Sequence, residues 1–231
     1  MPNIFATSIT SAVKITQELI RIKKMPRRVW VPADSEALAV ELTELLKSPG
    51  GNMSLRAIQA VALYEIGTCG GLFGPQRVGA GKTLTAFLAP VVTDSKRPLL
   101  LVPAKLLGKT RRDQKELAKH WDLPEFFRIM SYEWLGRTQA AEALEEYSPD
   151  LVILDECHKV KNKHAAVSRR VSRFFQSHPE VRCVALSGTI TKRSLHDYAH
   201  ILRWCLPPEK QPLPRKFSDL EMWAEALDER K

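Results

Sequence analysis

The stretch LVILDECHKVKN, residues 151–162, runs four apolar residues straight into Asp155 and Glu156. Cys157 and His158 follow, and then Lys159, Lys161 and Lys163. Two adjacent carboxylates where a buried strand should end are costly to place, because burying an ionised carboxylate forfeits its hydration. At such an end one carboxylate can hold a divalent cation while the other orients and deprotonates a water. A cap on the following helix is the plainer alternative. A second stretch bears on the choice. In GPQRVGAGKTLTA, residues 74–86, Gly79 and Gly81 stand where a turn must let backbone N–H groups face an anion. Lys82 can then reach the β- and γ-phosphates of a nucleotide. Thr83 offers a hydroxyl to Mg2+, and the helix that follows adds its positive N-terminal end.

The general pattern G-x-x-x-x-G-K-[ST] places a glycine six residues before the lysine, a position held here by Gln76. What remains is a loop of Gln76, Arg77, Val78, Gly79, Ala80, Gly81, Lys82 and Thr83, and it needs a matching acid downstream. The acid pair supplies it. In a parallel sheet the strand C-termini converge on the edge where ligands bind. LVIL would deliver Asp155 close to Thr83, so that both hold Mg2+. Glu156 would activate the water that attacks the γ-phosphate. Lys82, Asp155 and Glu156 are the expected catalytic set, and ATP with Mg2+ the expected cofactors.

The elements that must position these groups follow from periodicity. SAVKITQELIRIKK and SEALAVELTELLK, within residues 1–50, carry apolar residues at three-to-four spacing and read as peripheral helices. SPGGN at 48–52 breaks the chain. From residue 54 a helix precedes GGLFGPQRVGAGKT. Apolar strands at PLLLVPA, FFRIMS, LVILD and RCVALS then alternate with helices at 84–95, 105–120, 138–147, 163–177 and 194–204. Continuous apolar strands alternating with amphipathic helices predict an α/β fold with a mostly parallel sheet covered on both faces. Prolines at 207, 208, 212 and 214 end the series, and 217–231 reads as one more helix.

The net charge of +9, from 35 basic and 26 acidic residues, points to a polyanionic partner, nucleic acid ahead of an anionic membrane surface. The charge is clustered: residues 96–120 hold eight Lys/Arg against two acids, and residues 158–193 nine against one. Cys69, Cys157, Cys183 and Cys205 form no C-x-x-C pair, which favours reduced thiols over a disulfide framework. No charged-then-apolar leader opens the chain, and no stretch nears the ~20 apolar residues of a membrane span. A soluble intracellular protein, cytoplasmic or nuclear, is expected.

The motifs in order resemble those of superfamily II helicases and translocases, Swi/Snf-type, which are DEAD/H-box-like. LRAIQ at 55–59 looks like the adenine-reading glutamine motif, QRVGAGKT like motif I, and LLLVPAKLL like motif Ia. IMSYEWL is similar to the Ser/Thr-Tyr-Glu element, DECHKVKN to the Asp-Glu-x-His-x-x-Lys-Asn box, and ALSGTITKRSLHDYAHILRW to motif III. Ile190 stands where proline is usual, and Lys192 near a usual asparagine. The resemblance covers roughly 54–205.

It implies a three-layer RecA-like P-loop lobe, with a helical extension at 1–50, the ATP-binding lobe at 51–206, and a linker and helix at 207–231 leading toward a second lobe. Gln59 would read the base with Arg56 beside it. His158, Ser187, Gly188 and Thr189 would pass the nucleotide state to the nucleic-acid face. Lys105, Lys109, Arg111, Arg112 and Lys161 would meet phosphates of nucleic acid, with duplex DNA favoured. The implied partner is a second RecA-like lobe, and the implied activity DNA-dependent ATP hydrolysis coupled to movement. Two other readings remain open. One is a solitary nucleic-acid-binding module without turnover. The other is a zinc site at HDYAH, 196–200, whose histidines are spaced i, i+4.

Overall fold

The structure, a computed structural model, describes residues 13, 15–188 and 194–228. Its centre is one parallel sheet of five strands: β1 Leu72–Pro75, β2 Pro98–Val102, β3 Arg128–Ser131, β4 Leu151–Asp155 and β5 Arg182–Ser187. Their order across the sheet is β1-β5-β4-β2-β3. Alternation along β4 shows why the strands are apolar throughout. Val152 and Leu154 enter one buried cluster, whereas Leu151 and Ile153 enter the cluster on the opposite face.

Helices α1 Gln17–Lys24, α2 Pro32–Leu46, α3 Ala57–Cys69, α4 Lys82–Val92 and α5 Leu107–Leu117 come before β3. After it come α6 Tyr132–Leu135, α7 Ala143–Tyr147, α8 Ala166–Ser177, α9 His196–Cys205 and α10 Phe217–Leu227. Phe87 and Ala89 of α4, with Ile66 of α3, cover one face of the sheet. Leu135 of α6, Leu144 of α7, Val171 and Phe174 of α8, and Ile201 of α9 cover the other. The three-layer α/β architecture expected from the sequence is present. No helix among the described residues is long and apolar enough to cross a membrane.

A further cluster lies outside the central layers. Ala39 and Leu46 of α2 pack with Leu63 of α3, Leu84 and Leu88 of α4, and the fully buried Trp121. Trp121 bridges to Lys47, and α5 stops at Leu117 rather than running to 120, because the chain must turn to deliver that indole. The helix expected over 138–147 is shorter, with a 3-10 turn at Thr138–Ala140 before α7. Just before that turn the carbonyls of Leu135 and Arg137 accept from the Arg170 guanidinium, and the Arg137 carbonyl also accepts the Ala140 N–H. At the N-terminal side, the Thr16 hydroxyl caps α1 by accepting the Leu19 N–H. Buried Glu18 accepts from Arg21 and Arg215, which ties α1 to the proline-rich stretch. Trp223 of α10 packs on Leu19 and Ile22.

Ile153 has no exposed surface, at the centre of the sheet. Ile153→Ala should cost about 3 kcal/mol of unfolding free energy, read as a lower urea midpoint at unchanged m-value.

Candidate active site

The loop from Gln76 to Gly81 joins β1 to α4, and Lys82 is the first residue of that helix. Gly79 and Gly81 have φ of +82° and +85°, in the left-handed region that glycine enters at little cost. At Gly79 a Cβ would meet open space, so conformation alone asks for glycine. At Gly81 a Cβ would also overlap the Gln59 carboxamide. Gln59, buried in the first turn of α3, donates from Nε2 to the Gly81 carbonyl at 3.2 Å. Its Oε1 accepts the Arg56 N–H at 2.9 Å, and the Arg56 guanidinium donates to the Gly79 carbonyl at 2.6 Å. The start of α3 thus grips the loop by its carbonyls. Each Gln59 end keeps unused capacity, since an amide has two N–H donors and its oxygen two lone pairs.

Gln76 holds the loop's other end. Its N–H donates to the Ser187 carbonyl at 3.0 Å, and its own carbonyl accepts Lys82 Nζ at 3.4 Å. Gly188 faces the same lysine. A Cβ there would lie 3.1 Å from Lys82 Nζ and 3.1 Å from Val78 Cγ2, so a side chain would crowd the ammonium. Gly188, Gln76 and Lys82 are therefore neighbours.

The register explains how the acids arrive. Ser187 pairs with Pro75 on one side of β5, and Leu186 with Asp155 on the other. Asp155 Oδ1 accepts the Glu156 N–H at 3.0 Å, and its carbonyl accepts the Tyr132 hydroxyl at 2.8 Å. Glu156 has φ +54°, strained for a residue with a Cβ, and this tight turn swings its carboxylate toward β5. Ser187 Oγ donates to Glu156 Oε2 at 3.3 Å. His158 Nδ1 lies 3.2 Å from that oxygen and 3.3 Å from Ser187 Oγ. Three residues from two strand ends form one small polar cluster.

Burial pushes the Asp155 carboxyl up to about 6, and the Glu156 charge adds to it, while Lys82 and Lys109 oppose the rise. This is negative charge lacking full compensation. The donor set fits a hard divalent cation, with a carboxylate at Asp155 and a hydroxyl at Thr83. Lys109, a residue the resemblance assigns to nucleic acid, also lowers the Asp155 pKa by its charge. Tyr132 is the residue that sequence reasoning missed. It stands in the quoted IMSYEWL element, but only the pairing of β3 and β4 on either side of β2 shows that it reaches Asp155.

Lys105, Lys109, Arg111 and Arg112 are all exposed, on α5 and the 3-10 turn before it, and Lys161 is half-buried. Thr189, Ile190 and Lys192 lie outside the described residues. At HDYAH, His200 Nε2 meets the Val160 carbonyl at 2.8 Å, and the His196 ring lies against Phe217. Among the described residues no group of three or more His, Cys, Asp or Glu is placed to hold a metal.

A family model described as the SNF2-related domain matches residues 100–229, more than half of the chain. The acids fall inside the match and the 76–83 loop outside it. No curated protein matches. Among solved structures, the Sulfolobus solfataricus SWI2/SNF2 ATPase core in complex with dsDNA has a TM-score of 0.49 at 19% identity. That likeness covers 68% of this chain and 36% of the other, so this chain spans about a third of that structure's length.

Because the Asp155 pKa is raised above its ordinary 3.8, the folded state holds that proton more tightly than the unfolded one. The stability linked to it is present at low pH and lost as pH rises from about 4 through 6. Asp155→Asn should therefore stabilise the metal-free protein by about 3 kcal/mol at pH 7 and by almost nothing at pH 3, below both values, read from paired urea melts.

Proposed function

We propose, from the premise that this chain belongs to the SNF2-related domain family, that it is the ATP-binding lobe of a DNA-dependent ATPase of the translocase type. The observation that carries the reading is a single convergence. The loop with Lys82, the Gly188 backbone and the Asp155–Glu156 pair meet at one sheet edge, bridged by Ser187. A loop gripped through its carbonyls, followed by the free N–H groups of a helix start, suits a polyphosphate. Lys82 adds a mobile cation for the β- and γ-phosphates.

Glu156 is the general base. Its Oε2 is held by the Ser187 hydroxyl, so the water it activates is oriented from a fixed point. Thr83 and Asp155 are the residues that would hold Mg2+, which when bound neutralises charge developing between the phosphates. His158 Nδ1 contacts both that oxygen and the Ser187 hydroxyl, and a change at the base is therefore felt at the end of β5. The segment following β5 carries Gly188 and Thr189, the coupling residues of this reading. Gln59 and Arg56 place the base end of the nucleotide beside the loop they hold.

Nucleic acid is met through phosphates by Lys105, Lys109, Arg111 and Arg112, with Lys161 assisting, and duplex DNA is the form favoured. Full turnover requires a second RecA-like lobe, in the same polypeptide or another, supplying an arginine worth ~10³ or more in rate. Chain 1–231 by itself binds ATP–Mg2+ weakly and hydrolyses it slowly.

Lys82→Ala should weaken binding of a fluorescent ATP analogue at least ~10-fold, because the phosphate cation is lost. Glu156→Gln should leave that binding within about twofold while turnover with the second lobe present falls by ~10² or more. Equal loss of binding in both variants would reject the division of roles. Replacing Lys105, Lys109, Arg111 and Arg112 by alanine should reduce the salt slope of duplex DNA binding by about 1 per phosphate contact removed. An unchanged slope would place the DNA elsewhere.

A further inference from the structure

The outer strand of the sheet offers a surface that the nucleotide chemistry does not use. Among the described residues β3 pairs with β2 alone, so its other side presents backbone groups without a strand partner. Beside it runs a groove of about 730 Å3, walled by α5 on one side and by α6 and the residues after it on the other. Phe127, Ile129 and the partly exposed Trp134 give it apolar surface.

Its rims are cationic. Arg111 and Lys115, one helical turn apart on α5, face Arg137 across the groove, and Arg128 stands on β3 itself. Among the described residues none of these four has a carboxylate in ion-pair range, and Arg128 lies over the Tyr147 ring at 4.9 Å. The one lining carboxylate, Glu133, is engaged by the Ala104 N–H at 2.7 Å. Elsewhere on the molecule Arg21, Arg28, Lys47, Lys96, Lys119 and Arg215 do pair with acids. Uncompensated cations around an apolar floor ask for a ligand that is both anionic and apolar.

We propose that this groove docks an extended, acidic segment of a partner protein, which adds a strand to the free edge of β3 and sets its carboxylates against Arg111, Lys115, Arg128 and Arg137. The strand edge decides between a polypeptide and a nucleic acid. Carbonyls on the outer side of β3 need donors, which a peptide backbone supplies through its N–H groups. A sugar-phosphate backbone carries acceptors there, and it has no apolar side chains for Phe127 and Ile129. Alternating acidic and apolar side chains satisfy rim and floor together, because successive residues of a strand point to opposite faces. β3 is only four residues long, so the pairing is short and the flanking charges set its specificity. The proposal uses no residue of the nucleotide site, and it shares Arg111 with the DNA-facing set, so peptide and duplex would compete for that one guanidinium.

The test uses the whole chain and a fluorescein-labelled decapeptide of alternating glutamate and valine, followed by fluorescence anisotropy. The peptide should bind, and a lysine–valine counterpart should not. Lys115→Glu combined with Arg137→Glu should weaken binding at least tenfold, with circular dichroism confirming an intact fold. N-methylating alternate backbone amides of the peptide should abolish binding in one register and spare it in the other. Failure of the peptide to bind would overturn the proposal. So would equal binding of both methylated registers, or tighter binding of a twelve-residue oligothymidylate that the same double variant weakens.

Discussion

Parallel strands bring their carboxyl ends to one edge, and in this sheet β5 stands between the strand that leads to the phosphate loop and the strand that ends in two acids. Everything at the candidate site depends on that intervening strand. Ser187 is level with Pro75 on one side, and Leu186 is level with Asp155 on the other. Its carbonyl receives the Gln76 N–H and its hydroxyl reaches Glu156. A one-residue slip of β5 would turn every one of its side chains to the wrong face. The two apolar clusters that sandwich β5 are therefore what hold the polar edge in register.

Electrostatics at this edge is finely divided. Two carboxylates in sequence, the first of them largely withdrawn from water, would repel and neutralise without help. Lys82 from the loop and Lys109 from α5 both draw Asp155 toward ionisation, and burial and Glu156 still outweigh them. The residual imbalance is what a divalent cation relieves. Lys109 is the smaller of these two influences and comes from the basic helix.

How much of this was legible beforehand differs from one element to another. β2, β4 and β5 are continuous apolar runs because both of their faces are covered, and such runs stand out in a sequence. The glycines of the loop could be read in the same way, since they answer to backbone conformation. The grip of Gln59 on Gly81 could not, because those residues are 22 positions apart and meet only once α3 and α4 have packed. Tyr132 was hidden for the same reason. α5 stops short of residue 120 where the chain turns to bury Trp121, and the 138–147 stretch divides into a 3-10 turn and α7, neither of which local periodicity reveals. Thr189 falls outside the described residues.

Glu156 carries its carboxylate on a backbone conformation that side chains with a Cβ rarely adopt. Glycine or asparagine would sit there with less strain, and either would remove the group proposed to activate water. At this one position, folding and chemistry want different residues. A directed search for heat-resistant variants, scored on unfolding alone, would drift toward glycine at 156. It would deliver robust proteins that lack the carboxylate proposed to activate water.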